Sequence, residues 1–530
     1  RGIRTNGLAA SADWLEEQFE QIGLEPAGGN GSYRQSFDAV YEVQRDLSSS
    51  LIIDGVSVPS HEFVIPGFSA NSDLSASVIF AGWGIKSDEH EIDDYEGLDV
   101  EGRIVLVRRY TPEDGVFEDQ AVRRRFGDLR YKAFMAREHG ATGLLVADLP
   151  LSSDDEEQAL PNLRIDPQGS AGIPVAVITR NWAEKLINSN QNITFKAELI
   201  KSTRKIDNIV GRLTATDRIS GAVLLGAHYD HLGFGGTGSL APGKSEPHNG
   251  ADDNASGTAA LLEAARMLSS RIDTLRRDVI FVAFTGEEAG LLGSSYLIQN
   301  PPPGSAPAGL VAMLNMDMVG RLRNNRVSVL GSDSAEEWDE VVQPVCDKLG
   351  LVCQLGGDGY GPSDQTPFFA AGVPVLHFFT GTHAEYHKPS DDIALINAAG
   401  GVQIAILAAE IAANLSGIDS LTYRASEAPA PMGDIRGYGA SLGSIPDYTG
   451  STEARPGMLL SGVRAGGPAE DAGLQRGDLI TELAGREVRD IYDLMFILQE
   501  VRPGEQGNII YEREGERVET VVTFGGSSGR

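Results

Sequence analysis

The chain has 530 residues, of which 41% are hydrophobic, and this length exceeds a single ordinary core, so we expect about three domains. Its formal net charge of −31 and pI near 4.6 give a surface that repels nucleic acid and anionic membranes, which excludes both as partners. Because no apolar run reaches roughly 18 residues and no basic-then-apolar leader opens the chain, we expect no membrane span and a start that was processed or trimmed.

The first predicted elements are a helix and a β-rich module. Residues Ala9 to Leu24 keep apolar side chains at helical spacing, and Gly23 supplies a stop. From about Ala70 to Leu199, short apolar runs such as "RIVLVRR" and "TGLLVAD" predict strands. One helix, from Asp128 to His139, is predicted among them. This run of short predicted strands indicates a module separate from the rest of the chain.

Strands and helices alternate from Asp207 to Ser416. Apolar runs such as "AVLLGAH", "DVIFVAFTG" and "GLVAMLNMDM" predict strands. The pattern predicts a mixed, largely parallel central sheet flanked by helices, in an α/β fold. The predicted helices are Ser256–Ser269, Leu291–Gln299, Glu336–Leu349, Pro367–Ala371 and Ala398–Leu415.

The two cysteines, Cys346 and Cys353, lie at a predicted helix-to-strand turn. They form either a local disulfide, which suits an extracytoplasmic protein, or two buried thiols. Two cysteines are too few for a zinc cluster of thiolates alone.

A linker rich in proline and alanine, "YRASEAPAPMG", separates the α/β region from a compact unit of roughly 95 residues, the size of a small domain. The chain is therefore divided, in order, into the first part of the α/β domain, the β-rich module, the α/β domain proper, the linker and the C-terminal domain: 1–55, 56–203, 204–421, 422–433 and 434–530.

Acids and histidines follow the predicted strands of the α/β domain. Open α/β sheets place their sites beyond the carboxyl ends of the strands, so these side chains are candidates for one site. They are His228, Asp230 and His231 in "HYDH", Asp252 and Asp253, Glu287 and Glu288 in "TGEE", Asp317, and His383, Tyr386 and His387.

Most of these residues also have a purely structural explanation. Asp252 and Asp253 suit a helix N-cap, and Glu287 and Glu288 suit the first turn of a helix. Asp317 is harder to explain, because a carboxylate among apolar residues must find a charge partner or shift its pKa. The coincidence of all of them on one sheet edge favours a site.

The combination indicates a pair of metal ions. Imidazole and carboxylate without thiolate suit zinc, with cobalt or manganese as substitutes. Two cations about 3.5–4 Å apart, sharing one carboxylate, form a catalytic arrangement. Spacing alone does not choose between Asp252 and Asp253 for the bridge. The five ligand positions would be filled by His228, either Asp252 or Asp253, Glu288, Asp317 and His387.

Neighbouring acids at a strand-to-helix turn can point in different directions. Glu288 is then the ligand, and Glu287 is the general base that takes a proton from a bridging water and passes it to the leaving amine. Asp230, two residues after His228, is placed to orient the imidazole.

The motifs "HYDH", "NGADDNASG", "FVAFTGEEAGLLGS", "NMDMVG", "SDQTPFFAAGVPVLHFFTG" and "HAEYHKPSDD" resemble, in order, those of the co-catalytic dizinc aminopeptidases. This family includes secreted bacterial leucine aminopeptidase, glutamate carboxypeptidase II and the transferrin receptor ectodomain. The resemblance covers Ile206 to Leu415. Gln365 stands where relatives often carry histidine, which leaves the contacts with substrate open.

The resemblance implies a role for each matching residue. One zinc is held by His228, Asp317 and the bridging Asp253, and the other by Glu288, His387 and the same Asp253. Glu287 matches the base and Asp230 the acid behind the first histidine, while Tyr386 is a candidate for contact with a developing oxyanion.

Two further regions resemble known domains. "DYEGLDVEGRIVLVRR" and "KAFMAREHGATGLLVAD" resemble a protease-associated (PA) domain, which would shape access to the site or serve as a structural lid. The segment from Gly457 to Leu494 resembles a PDZ domain, which adds a peptide as a strand and holds its carboxylate in backbone N–H groups. We expect a recruiting or regulatory role, whether the peptide is a substrate tail, a partner or this chain itself. The predicted carboxylate loop is Leu442, Gly443, Ser444 and Ile445.

The predicted function is hydrolysis of the amino-terminal peptide bond of peptides through a metal-bridging hydroxide. A carboxypeptidase of the same fold is one alternative, although no basic residue is evident for a substrate carboxylate. A non-catalytic peptide-binding protein is another, although none of the five ligands is missing. We expect an extracytoplasmic location.

Overall fold

A computed structural model describes the chain apart from residues 88–89, 150–156, 164–169, 188–190, 217–218, 237, 242, 358, 425–439, 447–454, 464–465 and 527–530. The chain divides into two compact units. Unit 1 comprises Arg1–Ala39 and Arg204–Pro429, and unit 2 comprises Val40–Thr203 and Ala430–Arg530.

The helices follow the periodicity of the sequence, and the predicted ones are found within a few residues of their expected bounds. They are α1 (Asn6–Ile22), α2 (Gln120–Gly127), α3 (Leu129–Glu138), α4 (Arg180–Glu184), α5 (Gly257–Ser269), α6 (Leu292–Gln299), α7 (Trp338–Leu349), α8 (Gln365–Ala370), α9 (Ala398–Gly417), α10 (Pro468–Asp471) and α11 (Ile491–Glu500).

The strands, in chain order, are β1 (Glu25–Pro26), β2 (Arg34–Arg45), β3 (Ser50–Ile53), β4 (Val56–Ser57), β5 (Phe63–Val64), β6 (Ser72–Phe80), β7 (Lys86–Ser87), β8 (Ile92–Asp93), β9 (Ile104–Arg108), β10 (Gly143–Ala147), β11 (Val175–Ile178), β12 (Asn192–Ala197), β13 (Leu199–Leu213), β14 (Ala222–His228), β15 (Asp278–Phe284), β16 (Leu310–Met316), β17 (Arg326–Leu330), β18 (Val352–Gly356), β19 (Val375–Phe379), β20 (Ala440–Ser441), β21 (Ser444–Pro446), β22 (Met458–Val463), β23 (Leu479–Leu483), β24 (Arg486–Glu487), β25 (Gln506–Arg513), β26 (Glu516–Thr523) and β27 (Gly525–Gly526).

Unit 1 is built on a mixed sheet with the strand order β1-β13-β15-β14-β16-β19-β17-β18, and β2 pairs with β13. Its centre is parallel, since β15, β14, β16 and β19 run in the same direction, while β13 and β17 join antiparallel. The predicted α/β class with a largely parallel centre is confirmed. The three strands β14, β15 and β16 therefore present their carboxyl ends along one edge.

The central strands are buried on both faces, which explains why they are almost continuously apolar. Along β14, Val223 and Leu225 pack into the core beside α1, α5, α7 and α9, while Leu224 packs into a second core with side chains of α6 and α8. Residues of β15 alternate in the same way. The sheet is thus fixed between two helical layers, and its edge is held rigidly.

Helix α9 has the length and mean hydropathy that could cross a membrane. Half of its apolar window is buried, and side chains such as Ile404, Leu407 and Ile411 pack in the core of unit 1. A core helix passes the same test of composition, so this helix gives no support for a span.

Cys346 and Cys353 form a disulfide with a Cα–Cα distance of 6.1 Å, which joins α7 to β18. The sequence left open a disulfide or two buried thiols, and the structure has the disulfide. It closes a short turn between neighbouring elements.

Unit 2 contains two larger sheets. One has the order β4-β3-β12-β6-β9-β10-β11-β5, and the other has the order β21-β22-β23-β25-β26, with β24 added beside β23. The helices α3 and α11 pack against each other. Phe496 of α11 contacts the rings of Tyr131 and Phe134 at centroid distances of 5.5 and 5.3 Å. The C-terminal region thus shares a core with the module before it.

Candidate metal centre

Three of the five candidate ligands follow the carboxyl ends of three adjacent parallel strands. His228 is the last residue of β14, Glu288 lies four residues after the end of β15, and Asp317 directly follows β16. Asp253 precedes α5, and His387 lies in the loop after β19. The topology therefore brings together all five residues that the sequence predicted, because parallel strands end at one edge.

The first group consists of His228, Asp253 and Asp317. His228 Nε2 lies 3.4 Å from Asp253 Oδ1 and 3.3 Å from Asp317 Oδ1. The three donor atoms lie within 4.8 Å of one another, so they could hold one metal ion. Glu287 Oε2 stands nearby, 3.9 Å from His228 Nε2.

The second group consists of His387, Glu288 and the same Asp253. His387 Nε2 lies 3.2 Å from Asp253 Oδ2 and 3.2 Å from Glu288 Oε2. Its Nδ1 donates to the carbonyl of Gly238 at 2.7 Å, which leaves Nε2 directed at the two carboxylates. This pattern, an imidazole held through its other nitrogen by a carbonyl, is typical of metal-ligating histidines.

The residues present fit a pair of zinc ions. Both ring nitrogens of His228 and Oδ1 of Asp317 are buried and make no hydrogen bond within the described part of the chain. Orphaned buried groups of this kind are costly unless a ligand satisfies them. The donors are imidazole and carboxylate, and both cysteines are occupied in the disulfide, which agrees with the chemistry expected for zinc.

The structure separates the neighbouring acids Asp252 and Asp253. Asp252 Oδ2 lies 3.3 Å from His383 Nε2, and Asp252 Oδ1 accepts from the backbone N–H of Gly320 at 2.7 Å. Asp253 alone of the two reaches both ligand histidines. Spacing along the sequence could not have made this distinction, because it depends on how the turn before α5 is held.

That turn is held by Asp391, a residue that sequence analysis did not single out. Asp391 Oδ2 accepts from the backbone N–H groups of Asp252 and Asp253 at 2.8 and 3.2 Å. Arg321 donates to Asp391 Oδ1 at 3.0 Å and is itself buried. The guanidinium therefore compensates the buried charge of the acid that positions Asp253. Nothing in the local sequence identifies this pair.

Asp230 acts on the turn that carries the two glutamates. Its carboxylate accepts from the backbone N–H groups of Glu287 at 3.1 Å and Glu288 at 3.4 Å. Its distance to His228 Nδ1 is 3.8 Å, which is too long for a hydrogen bond. Burial raises the pKa of Asp230 to about 6, although His228 opposes the shift.

The electrostatics of the metal-free protein set the two glutamates apart. Burial raises the pKa of Glu287 well above its ordinary value, and Asp317 and Glu288 add to the rise. Burial also acts to raise the pKa of Glu288, but hydrogen bonds from His231 and His387 outweigh it and bring the pKa to about 2. Glu288 is thus hydrogen-bonded to two imidazoles, whereas the charge of His228, 3.9 Å away, opposes the rise in the pKa of Glu287 without outweighing burial.

His231 is a site residue to which sequence analysis gave no role. Its Nδ1 lies 2.6 Å from Glu288 Oε1, and it forms a possible metal-binding group with Asp253 and Glu288. The signal was the second histidine of "HYDH", three residues after His228.

Tyr386, the candidate for contact with a developing oxyanion, packs against a candidate ligand. The ring of Tyr386 stacks on that of His387, with centroids 3.8 Å apart. In the predicted carboxylate loop of unit 2, Leu442 and Gly443 are buried, and Gly443 adopts a φ of +70° that favours glycine before β21. Ser444 begins that strand, and the side chain of Ile445 lies outside the described residues.

Two segments of the chain match known protein families. Residues 208–412 match Peptidase family M28, and residues 460–513 match a PDZ domain. Aminopeptidase YwaD of Bacillus subtilis (strain 168) is 28% identical over 337 residues, which are 61% of this chain and 63% of that protein. An aminopeptidase of Pseudomonas aeruginosa (strain UCBPP-PA14) is 27% identical over 330 residues, 60% of this chain and 54% of that protein.

Among solved structures, the aminopeptidase from Aneurinibacillus sp. strain AM-1 has a TM-score of 0.48 at 19% identity, covering 81% of this chain and 93% of that chain. The chain spans less than two thirds of the length of each of the two relatives found by sequence.

Proposed function

We propose that this chain, which carries a Peptidase family M28 domain at residues 208–412 and a PDZ domain at residues 460–513, is a dizinc metallo-aminopeptidase. It would hydrolyse the amino-terminal peptide bond of peptides. The observation that carries the proposal is the placement of Asp253, whose two carboxylate oxygens face two different histidines. A carboxylate used in this way suits two cations at once.

Each cation would be held by three side chains, with Asp253 common to both. His228 and Asp317 complete the first set, and Glu288 and His387 complete the second. When bound, two zinc ions supply Lewis-acid polarisation of a carbonyl and positive charge that lowers the pKa of nearby water and carboxyl groups. Cobalt or manganese could substitute, because the donors are the same.

Glu287 would be the general base. Its carboxylate lies beside the first ligand set, 3.9 Å from His228 Nε2, but it belongs to neither set. It would take a proton from the attacking water and deliver it to the leaving amine. Asp230 would keep the turn in place by accepting from the backbone N–H groups of both glutamates. Tyr386, packed on His387, is the candidate for contact with a developing oxyanion.

The remaining regions would serve substrate capture. We assign residues 56–203 to a PA-like module and residues 434–530 to the PDZ domain, with 1–55 and 204–421 forming the peptidase domain and 422–433 the linker. The loop from Leu442 to Ile445 would receive a peptide carboxylate. The disulfide favours an extracytoplasmic location, where such bonds persist.

Hydrolysis of leucine p-nitroanilide and of its N-acetylated analogue tests this function, before and after removal of metal with a chelator and after return of zinc. We expect zinc-dependent cleavage of the free amine and no cleavage of the acetylated substrate. Cleavage of both would exclude a strict aminopeptidase. Silence on a panel of free peptides with two zinc ions bound would favour a binding protein.

A further inference from the structure

We propose that His231 is a positioning residue for the second metal site. It would hold one oxygen of Glu288 through a hydrogen bond, so that the other oxygen alone is directed at a cation. The inference rests on the dizinc function proposed above and adds a residue outside the five ligands. It concerns the affinity of one site rather than the chemistry of the reaction.

The two oxygens of Glu288 are divided between two imidazoles. Oε1 lies 2.6 Å from His231 Nδ1, whereas Oε2 lies 3.2 Å from His387 Nε2. His231 Nδ1 is 4.0 Å from Asp253 Oδ2, beyond hydrogen-bond distance, so its close contact is with Glu288. A carboxylate oxygen can only accept here, which means that Nδ1 carries the proton and donates.

The imidazole has little freedom to turn away from this contact. His231 is only 2% exposed. Gly250, at a φ of +57°, packs directly on the ring, since a Cβ at that position would lie 2.6 Å from ring atoms Cγ and Cδ2. A side chain at residue 250 would therefore displace the ring, and the glycine keeps this close approach possible.

The backbone around His231 is also fixed. Its N–H donates to the carbonyl of Arg1 at 3.0 Å. The guanidinium of Arg1 donates to the carbonyls of Tyr229 and Gly250, both at 2.8 Å. One side chain thus ties the segment that carries His231 to the segment that packs on its ring.

At the first metal site, one carboxylate oxygen is held in the same way, but by a serine hydroxyl instead of an imidazole. Asp317 Oδ1 faces His228, while Asp317 Oδ2 accepts from Ser363 Oγ at 2.9 Å. Each terminal carboxylate therefore has one oxygen held by a neighbouring side chain and one oxygen turned to a ligand histidine. Such supporting hydrogen bonds commonly change metal affinity about 10–100-fold when they are removed.

The test compares two kinds of substitution in the full chain. His231→Phe and His231→Leu remove the donor, whereas His231→Asn keeps an N–H close to the position of Nδ1. His248→Phe is the matched control, because His248 is buried in the same loop but bonds to Ser239 and the carbonyl of Glu246 instead of a ligand. Zinc bound per chain is measured by mass spectrometry of the metal at a series of buffered free zinc concentrations.

We expect the wild type and His248→Phe to bind two zinc ions. His231→Phe and His231→Leu should bind the second zinc about 10–100-fold more weakly and the first unchanged, and His231→Asn should stay within about threefold of wild type. Cobalt spectra should show the same loss at a single site. Equal weakening at both sites, or no rescue by asparagine, would reduce His231 to a packing role and overturn the inference.

The outcome for the wild type separates this inference from the proposed function. A wild type that binds two zinc ions, together with donorless variants that keep the second ion at full affinity, overturns the role of His231 alone. A wild type that saturates at one zinc ion overturns the two-metal function itself, and the inference falls with it.

Discussion

Asp253 turns its Oδ1 to His228 Nε2 at 3.4 Å and its Oδ2 to His387 Nε2 at 3.2 Å. A single carboxylate therefore connects two histidines that lie more than 150 positions apart in the sequence. Its backbone N–H donates to Asp391, which helps to hold the turn that carries this carboxylate. Loss of one of these oxygens should therefore weaken metal binding by both ligand sets.

Substitution of Asp253 by asparagine should weaken both zinc ions. The amide keeps the shape of the side chain but replaces one oxygen with an NH₂ group, which cannot bind a cation. We expect fewer than one tightly bound zinc per chain, measured by atomic absorption after dialysis, together with loss of peptidase activity. Asp317→Asn is the comparison, and it should lower the affinity of one zinc only. Two tightly bound ions in Asp253→Asn would exclude it as the bridge.

Substitution of Glu287 by glutamine should leave the metals and remove most of the rate. General bases contribute about 10²- to 10⁴-fold, and glutamine cannot accept the proton. We expect kcat to fall by that factor while zinc content stays at the wild-type value. The exposed Glu246→Gln should change neither quantity. If Glu287→Gln lost zinc instead, the division of labour between Glu287 and Glu288 would be wrong.

The clustering of the candidate ligands could be predicted because several of them follow strands that the sequence marks. His228 and Asp317 end apolar runs, and strand ends of an α/β sheet meet at one edge. No sequence pattern identifies the residues that hold the candidate ligands in place. Asp391 and Arg321 come from separate loops, and their pairing depends on how those loops fold back. His231 lies in the "HYDH" motif, but its contact with Glu288 is seen only in the folded structure.

In the fold, too, features set by neighbouring residues could be predicted, whereas features set by contacts between distant residues could not. Helices such as α5 and α9 follow from apolar periodicity, and Gly23 ends α1 in the left-handed region as expected. Strand β13 begins at Leu199, well before residues 209–213, which pair with β15, and it also pairs with β2. The packing of α3 on α11 involves residues more than 350 positions apart, which no local pattern encodes.

Lys132, in unit 2, should make stability depend on pH. Burial lowers its pKa to about 7, and its Nζ donates to the carbonyls of Trp83 and Tyr110. Between pH 7 and the ordinary lysine pKa near 10.4, the unfolded chain binds a proton that the folded chain lacks, so the free energy of unfolding rises with pH. This lysine should contribute a rise of about 2 kcal/mol from pH 7 to 9.

The contribution of Lys132 is isolated by comparison with Lys132→Met in urea unfolding at both pH values. The wild type should gain stability over the variant as the pH rises, whereas the exposed Lys185→Met should follow the wild type throughout. A difference between wild type and Lys132→Met that is the same at pH 7 and pH 9 would show that the folded protein keeps this lysine charged.

The ion pair between α3 and the start of α11 should be costly to break from one side. Arg130 Nη1 lies 2.6 Å from Asp490 Oδ2, with side chains only 6% and 2% exposed, and Asp490 also caps α11 by accepting from the N–H groups of Tyr492 and Asp493. Arg130→Met leaves a buried carboxylate without its cation and should lower the free energy of unfolding of unit 2 by about 3–5 kcal/mol. Adding Asp490→Asn removes that charge while keeping an oxygen for the cap, so the double variant should recover most of the loss.

The control for this pair is Arg103→Met, which breaks an exposed pair with Asp99 in the same unit and should cost less than about 1 kcal/mol. Urea unfolding followed by hydrogen–deuterium exchange of peptides from unit 2 measures all four proteins. Because Phe134 and Phe496 pack beside the buried pair, the C-terminal region should unfold together with the module before it in one transition. Separate transitions for peptides of α3 and of α11 in the wild type, or a cost for Arg130→Met no larger than that for Arg103→Met, would contradict a shared core between α3 and α11.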